Sequence, residues 1–215
     1  MGDLRVSTSA HHVIITAGRR IRSGANVARR RVGKAVHELR GGPKWPPIRR
    51  HLMGRVEMNV LMIRFTDDIY RGSRPTRNSL LSAEPNPRTL INLESGWYEW
   101  INRRAIREDQ LASDLGMVEL HLPMSPFKPP SLAQVTEVYE LMNSLDLPRP
   151  LLVHCREGVD RTGVVCAYYR VVAEGWSPAA AMEEMLSIGF HRWRYLYWLP
   201  TIRRLLEQAQ MGVCR

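Results

Sequence analysis

The stretch LLVHCREGVDRTGVV, residues 151 to 165, places one cysteine six residues before an arginine and between two apolar segments. A thiolate is a strong nucleophile, and the planar fork of an arginine can hold two oxygens of a phosphate at once. Cys155 and Arg161 therefore have the chemistry to attack and bind a phosphate ester. The chain is rich in arginine, so this spacing alone proves little, and the surrounding elements must position the pair.

The residues around the pair predict a strand, a tight loop and a helix. Residues 151–153 are apolar and read as a buried strand, while residues 162–173 read as a helix. The loop between them aims successive backbone N–H groups, and the positive end of the helix, into one concavity. Such a concavity binds phosphate and stabilises a thiolate, so we expect Cys155 to be a nucleophilic anion.

The other residues of the loop suit the same chemistry. Gly158 allows a sharp turn and a close approach of backbone to phosphate, and Gly163 allows the first helical turn to pack against the loop. We expect the Thr162 hydroxyl to donate a hydrogen bond to the Cys155 sulfur, which eases its departure in a second step. Strand alternation turns His154 away from the pocket, so we interpret it as a residue that orients the loop.

The sequence H-C-R-E-G-V-D-R-T-G resembles the signature H-C-x-x-G-x-x-R-[ST]-G of the Cys-dependent phosphatases, the protein tyrosine and dual-specificity phosphatase superfamily. Every defined position is matched. The resemblance extends more loosely over residues 59–208, where IYRGSRP, residues 69–75, is similar to the Tyr-Arg-Ser-x-x-Pro motif of small atypical dual-specificity phosphatases. It implies an α/β fold with a central mixed sheet flanked by helices.

The resemblance also implies hydrolysis of phosphate monoesters through a phosphocysteine intermediate, with no metal and no other cofactor. Cys155 would attack the phosphorus, Arg161 and the loop amides would hold the phosphate oxygens, and a general acid would protonate the leaving alcohol. The predicted catalytic residues are Cys155, Asp160, Arg161 and Thr162, and the predicted substrate-binding residues are Arg156, Glu157, Gly158, Val159 and Gly163.

The general acid is the point at which this sequence departs from the family pattern. Most of these enzymes carry an Asp on a loop well before the cysteine, but residues 121–131, HLPMSPFKPPS, contain no carboxylate. Asp160 is our leading substitute, because its Asp-Arg-Thr setting is similar to that of myotubularin lipid phosphatases and bacterial inositol phosphatases. The alternative is a structural role, in which Asp160 binds backbone N–H groups of its own loop or pairs with Arg161. Glu157 and His121 are further donor candidates.

The net charge of +10 belongs to the first quarter of the chain. Residues 1–55 hold thirteen Lys and Arg against two acids, whereas residues 56–215 hold eighteen against nineteen. This division predicts a basic extension, residues 1–55, and a near-neutral phosphatase domain, residues 56–215. Within the extension, residues 19–40 show a helical apolar stripe among arginines, which favours binding to an anionic membrane surface. A solvated helix, a flexible tail and a mitochondrial presequence over residues 1–31 are the alternatives.

Beyond the extension, strand and helix patterns alternate. Strands are predicted at residues 59–65, 68–72, 88–93, 116–123 and 150–155, and helices at 131–145, 162–174, 177–186 and 200–210. Ser131 with Gln134 reads as a capping box, and Ser177 as a helix cap. Five aromatic residues near the end of the chain are interpreted as core packing, with substrate binding as the alternative: Phe190, Trp193, Tyr195, Tyr197 and Trp198.

These patterns leave two functional classes open. The first is an active phosphatase on a phosphoprotein or on a phosphoinositide or other phospholipid, and the basic arm and Asp160 favour the lipid or inositol phosphates. The second is a phosphate-binding module without turnover, recruited to anionic surfaces by its arm. No motif in the arm indicates a specific nucleic-acid partner. The sequence has few cysteines, no long apolar run and no secretory signal, which predicts a soluble, cytoplasmic protein. Peripheral attachment to a membrane through the basic arm is compatible with this prediction.

Overall fold

The computed structural model describes residues 62–95, 108–191 and 196–213. Its strands are β1 (Met62–Arg64), β2 (Ile69–Gly72), β3 (Thr89–Asn92), β4 (Val118–His121) and β5 (Leu151–His154). Its helices are α1 (Arg77–Leu81), α2 (Glu108–Asp114), α3 (Leu132–Asn143), α4 (Arg161–Glu174), α5 (Pro178–Ser187) and α6 (Leu199–Val213), with a 3-10 turn at Leu196–Trp198. The basic arm and the domain boundary at residue 55 lie outside these ranges.

The five strands of the described ranges form one mixed sheet in the order β1-β2-β5-β3-β4. β1 pairs antiparallel with β2, whereas β2, β5, β3 and β4 run parallel. In this register His154 lies opposite Gly72 on one side and opposite Asn92 on the other. The carboxyl ends of the parallel strands therefore meet at one edge, which is where open α/β sheets place their ligands.

Local sequence accounts for the helix and strand boundaries near this edge. The Ser131 side chain accepts from the Gln134 N–H and the Gln134 side chain reaches back to the Ser131 backbone, which confirms the predicted capping box at the start of α3. Ser177 caps α5, with Pro178 in its first turn. Each strand is shorter than predicted, because backbone hydrogen bonds to the neighbouring strand form over only part of each predicted segment.

The sheet separates two apolar clusters, and β5 contributes to both. Leu151, Val153 and Cys155 belong to the large cluster that includes residues of α3, α4, α5 and α6. Leu152 belongs to the smaller cluster on the opposite face. Because successive side chains of a strand point to opposite faces, His154 lies on the same face as Leu152, away from Cys155. None of the helices in the described ranges is long and apolar enough to span a membrane.

Candidate active site

Cys155 follows β5 directly and opens the loop that leads into α4. Its side chain is buried, with 2% of the residue exposed, and its Sγ accepts a hydrogen bond from the backbone N–H of Gly158 at 3.3 Å. Asp160 precedes the first helical residue, Arg161, so the loop ends at the positive end of α4. The Cys155 sulfur therefore lies in the loop that leads to the N-terminus of α4, where the backbone N–H of Gly158 donates to it.

Gly158 is required at the turn of this loop. Its φ is +75°, and a Cβ built on it would lie 2.3 Å from the backbone carbon of Gly72 at the end of β2. From below, the buried Arg71 donates through Nη2 to the Gly158 carbonyl at 3.1 Å. The loop therefore packs closely against the end of β2, and the buried Arg71 guanidinium fixes the orientation of the Gly158 carbonyl.

Replacing Gly158 by Ala is expected to destabilise the protein and to reduce phosphatase activity. The left-handed conformation costs about 1 to 2 kcal/mol for a residue with a Cβ, and the clash with rigid backbone adds about 1 to 3 kcal/mol. Urea denaturation measures the loss. Gly116→Ala is the matched control, because Gly116 has a φ of +65° and nothing within 4 Å of its added Cβ. Equal losses in the two variants would contradict the predicted clash.

Arg161 is held by two backbone carbonyls that follow β3 and β4. Its Nη1 donates to the Leu93 carbonyl at 3.2 Å and to the Met124 carbonyl at 3.3 Å, and 8% of the residue is exposed. Leu93 follows β3 and Met124 follows β4, while Arg161 itself comes after β5. The segments that follow three neighbouring parallel strands therefore meet at this guanidinium. A guanidinium carries five N–H donors, so its remaining donors stay available to phosphate oxygens in the pocket that Arg161 lines.

Cys155 and Arg161 line one pocket with a cavity volume of about 330 Å³. The structure brings five of the predicted loop residues to this pocket: Cys155, Arg156, Glu157, Asp160 and Arg161. Gly158, Val159, Thr162 and Gly163 are buried in the loop and the first turn of α4 and are not part of its lining.

Two predicted contacts of the loop are corrected. Thr162 Oγ1 is buried and has no hydrogen-bond partner among the described residues, so the predicted bond to Cys155 is replaced by the one from the Gly158 N–H. The first turn of α4 at Gly163 packs against α5 rather than against the loop, because an added Cβ there would lie 3.0 Å from Met185 Cγ. Local spacing could not reveal either partner, since both depend on how the loop and α5 pack around the helix.

Asp160 has a partner that the sequence did not indicate. Its Oδ1 accepts from the backbone N–H of His191 at 2.9 Å, and its Oδ2 lies 2.9 Å from His191 Nδ1. The two partners suggested for a structural role of Asp160, backbone N–H groups of its own loop and Arg161, are wrong for the described contacts. The structural contacts of Asp160 are made with His191 instead. His191 Nε2 also lies 3.3 Å from Glu157 Oε2, so the ring lies between two carboxylates of the loop.

His154 forms a buried ion pair, and its side chain leaves the strand on the face opposite that of Cys155. Its Nε2 lies 2.6 Å from Glu108 Oε1 at the start of α2, and both side chains are buried. Burial by itself would lower the pKa of His154, but the Glu108 carboxylate, with Glu94 and Glu119 nearby, raises the pKa above its ordinary value. The structure thus ties the residue before the nucleophile to α2, which agrees with a role in orienting the loop.

Glu108→Gln is expected to lower the free energy of unfolding by about 3 kcal/mol at mildly acidic pH, because one member of a buried pair is lost. A raised histidine pKa gives stability that is fully present below about pH 6.5 and is lost as pH rises through the raised value. The gap between wild type and variant should therefore shrink at alkaline pH in urea titrations. Glu140→Gln, at an exposed position of α3, is the control. A gap that widens with pH would contradict the assigned pair.

Aromatic residues form part of the pocket wall. Phe127 and Tyr197 are 60% and 59% exposed and line the pocket with Trp198, which is fully buried. The Tyr197 hydroxyl donates to the Phe127 carbonyl at 2.7 Å. Core packing, predicted for the whole aromatic cluster, is confirmed for Phe190 and Trp198 and is wrong for Tyr197, while Trp193 and Tyr195 lie outside the described residues.

Glu94 also lines the pocket, and the sequence did not indicate it. It is 2% exposed, lines the pocket, and pairs with Arg74 through a hydrogen bond of 2.8 Å from Nε to Oε1 and a second contact from Nη2 to Oε2. Arg74 and Arg71 both lie within the IYRGSRP motif, so the motif marks residues that brace the site. Nothing in the local sequence marks Glu94 or His191.

Cys166 shows what separates a packed thiol from the candidate nucleophile. It lies on α4 in the large apolar cluster, and burial raises the pKa of its thiol to about 11. No hydrogen bond to its sulfur is among the described contacts, whereas Cys155 Sγ receives the Gly158 N–H. The predicted core role of Cys166 is confirmed.

The loop after a central parallel strand, with its cysteine and the arginine of the next helical turn, defines the class of Cys-dependent phosphatases. Residues 68–175 match the family model described as "Polymorphic toxin system, DSP-PTPase phosphatase". The chain belongs to this family of phosphatases. The resemblance inferred from the signature, and the mixed α/β fold, are therefore confirmed.

Individual relatives agree with this assignment. The chain is 26% identical over 137 residues to the dual specificity protein phosphatase TpbA of Pseudomonas aeruginosa strain UCBPP-PA14. The aligned residues make up 63% of this chain and 57% of the length of that relative. The crystal structure of P. aeruginosa TpbA gives a TM-score of 0.58 at 23% identity, covering 74% of this chain and 94% of that one. The structure of PTPMT1 gives 0.52 at 18% identity, covering 72% and 96%. These structures share the fold.

Proposed function

We propose that the protein hydrolyses phosphate monoesters through a phosphocysteine intermediate on Cys155. The observation that carries the proposal is a pocket that both Cys155 and Arg161 line, in which the Cys155 sulfur accepts the N–H of Gly158 from the loop. The phosphate sits in the loop, Cys155 Sγ attacks phosphorus, and Arg161 with the loop amides holds the three remaining oxygens. Water then hydrolyses the phosphocysteine and restores the thiolate.

In the same proposal Asp160 is the general acid. It lines the pocket beside Cys155 and Arg161, and the loop after β4, which includes Met124 and Phe127, contains no carboxylate. A general acid typically contributes about 10²- to 10⁴-fold to such a step. The same residue then accepts a proton from the attacking water in the second step.

A phosphotyrosyl side chain is the preferred substrate in this proposal. Phe127 and Tyr197 offer exposed aromatic surface at the pocket, where a tyrosyl ring would lie while its phosphate occupies the loop. A Cys-to-Ser variant of TpbA has been crystallised in complex with pTyr, and its structure covers 75% of this chain with a TM-score of 0.58. The charged residues of the pocket, by contrast, suit any phosphate monoester.

Phosphoinositides are the second candidate. A structure of PTPMT1 in complex with PI(5)P covers 71% of this chain with a TM-score of 0.53. The basic arm that favours this substrate class, residues 19–40, is proposed to bind anionic membrane surfaces, and a cytoplasmic location with peripheral attachment stays a prediction. Liposome sedimentation with and without residues 1–44 tests the arm separately from the pocket.

The experiment that tests the reaction is an acid quench of the full-length protein during turnover of a radiolabelled phosphotyrosine peptide. We expect the label on the peptide that contains Cys155, and release of inorganic phosphate on longer incubation. Initial rates with phosphotyrosine, phosphoserine and phosphoinositide substrates then rank the substrate classes. Phosphate binding without label or release would support the alternative of a phosphate-binding module without turnover.

Tyr197→Ala is expected to raise KM for a phosphotyrosine peptide about fivefold, because an aromatic pair contributes roughly 1 kcal/mol beyond its buried area. The value of kcat should change less, since Tyr197 contacts neither the phosphorus nor the thiol in the proposed geometry. Steady-state kinetics measures both constants. Leu145→Ala is the control, because Leu145 is 90% exposed and is not part of the pocket lining. An unchanged KM in Tyr197→Ala would remove the aromatic wall as a specificity element.

A further inference from the structure

His191 contacts the proposed general acid from outside the catalytic loop. Its backbone N–H and its ring Nδ1 reach the two oxygens of Asp160, each at 2.9 Å. On the other side of the ring, Nε2 lies 3.3 Å from Glu157 Oε2. The imidazole therefore bridges the two carboxylates of the loop, and both of these carboxylates line the pocket.

This bridging geometry matches the protonated form of the ring. A neutral imidazole has one N–H donor and one acceptor nitrogen, whereas both nitrogens of an imidazolium donate. Asp160 and Glu157 place a carboxylate oxygen at each nitrogen, and an opposite charge within about 4 to 6 Å favours the charged form. The His191 side chain is also 38% exposed, so its ring can exchange protons with solvent between turnovers.

We propose that His191 is a positioning residue that holds Asp160 in place and supplies the proton that Asp160 delivers to the leaving group. The inference rests on the proposed phosphocysteine mechanism. It assigns the acid function to a pair that shares a proton, rather than to a carboxyl group alone. The two-point contact also explains how a loop Asp can keep one orientation while the phosphate loop binds substrate.

Protons balance over the two steps. As the bond between Cys155 Sγ and phosphorus forms and the ester P–O bond breaks, the proton on His191 Nδ1 passes to the Asp160 carboxylate and from it to the leaving oxygen. His191 ends this step neutral, and Asp160 ends it as a carboxylate. In the second step the water oxygen bonds to phosphorus and the S–P bond breaks. The proton lost by that water returns through Asp160 to His191, and Cys155 leaves as a thiolate. The pair ends with the protons it began with.

Other charged and titratable groups face this pair and set the pH range in which it works. Arginines near the pair disfavour its proton, whereas carboxylates favour it. Glu94 is compensated by its ion pair with Arg74, so its influence on the proton is reduced. Besides Asp160, the charged and titratable groups that line the same pocket are Glu94, Cys155, Arg156, Glu157, Arg161 and Tyr197.

The test compares two substrates that differ in their need for an acid. Phenyl phosphate releases a strongly basic phenolate, whereas p-nitrophenyl phosphate releases a weakly basic one that needs little protonation. In the full-length protein, His191→Gln is expected to lower kcat/KM for phenyl phosphate by about 10²-fold, and by at least about tenfold more than for p-nitrophenyl phosphate. The amide of the replacement can still donate to Asp160, so a purely structural contact is kept.

The pH profile gives a second readout that a structural role would not move. The rate of an acid-dependent step falls as pH rises through the pKa of the acid. An isolated Asp carboxyl has a pKa of about 3.9 and an imidazole one of about 6.5. Loss of the imidazole should therefore move the fall of kcat/KM for phenyl phosphate at alkaline pH to lower pH. Asp160→Asn should show the same dependence on the leaving group, and adding His191→Gln to it should cause no further loss. Glu183→Gln, at an exposed position of α5, is the control.

Equal losses on the two substrates, with an unmoved pH profile, would overturn the proposal for His191. The same would follow if the two substitutions reduced kcat/KM for phenyl phosphate independently of each other. The outcome is distinct from failure of the proposed function, because in that case the wild-type protein itself would not turn over p-nitrophenyl phosphate. Turnover of that substrate also verifies that each variant is folded.

Discussion

Replacement of Cys155 by Ser is expected to abolish turnover of p-nitrophenyl phosphate, with a loss of at least about 10⁴-fold in kcat. The hydroxyl is a far weaker nucleophile at neutral pH, and it cannot exist as the anion that the loop stabilises. The fold should persist, because Ser is close to Cys in size and can accept the hydrogen bond that the Gly158 N–H gives to the sulfur. Phosphate release assays measure the loss, and thermal unfolding confirms the fold.

A matched control comes from the second thiol of the described chain. Cys166 is fully buried, and burial raises the pKa of its thiol to about 11. Cys166→Ala should retain turnover, and iodoacetamide at neutral pH should label Cys155 and spare Cys166 in the native protein. If Cys155→Ser kept more than about a hundredth of the wild-type rate, a direct attack by water would replace the phosphocysteine mechanism.

Arg161→Lys is expected to lower kcat/KM by about 10³-fold although the positive charge is kept. The guanidinium donates to the Leu93 and Met124 carbonyls through Nη1, and Arg161 lines the pocket. An ammonium group is a single point of charge and cannot hold two phosphate oxygens while also bonding to both carbonyls. The loss should be divided between KM and kcat, because the fork contacts the phosphoryl group in the ground state and in the transition state.

The control for this variant is Arg203→Lys, at an exposed position of α6. It removes a guanidinium from the protein without changing the pocket, so kcat/KM should stay at the wild-type value. Binding of inorganic phosphate or vanadate as an inhibitor provides an independent measure and should weaken in Arg161→Lys. A Lys variant with wild-type kcat/KM would show that charge alone, and not the fork, binds the phosphate.

The strand, the loop and the helix of the active site could be predicted because each is encoded by neighbouring residues. The apolar run of β5, the glycine of the turn and the start of α4 lie within fifteen residues of the sequence, LLVHCREGVDRTGVV. Period-two alternation along β5 also predicted that His154 and Cys155 lie on opposite faces of the sheet. The caps at Ser131 and Ser177 are local for the same reason, since a cap bonds to backbone only three residues away.

The partners of the predicted residues could not be inferred in this way. His191 is 31 residues from Asp160 and reaches it only because α4 and α5 return the chain to the loop. The hydrogen bond predicted from Thr162 to the Cys155 sulfur was wrong, because the packing of the first turn of α4 leaves Thr162 Oγ1 buried with no hydrogen-bond partner among the described residues. Tyr197 was assigned to the core on its chemical type, but the 3-10 turn leaves its ring exposed at the pocket.

The sequence by itself therefore determined the candidate nucleophile, the loop that carries it, the α/β class and the membership of a phosphatase family. These depend on residue types at fixed short spacings, where chain geometry leaves few alternatives. Only the tertiary structure decided which side chains surround the loop: Arg71 beneath it, Glu94 and the aromatic wall beside it, and His191 on the carboxylate of Asp160. Those contacts join segments far apart in the chain, and their geometry is set by how helices pack on a sheet rather than by any local pattern.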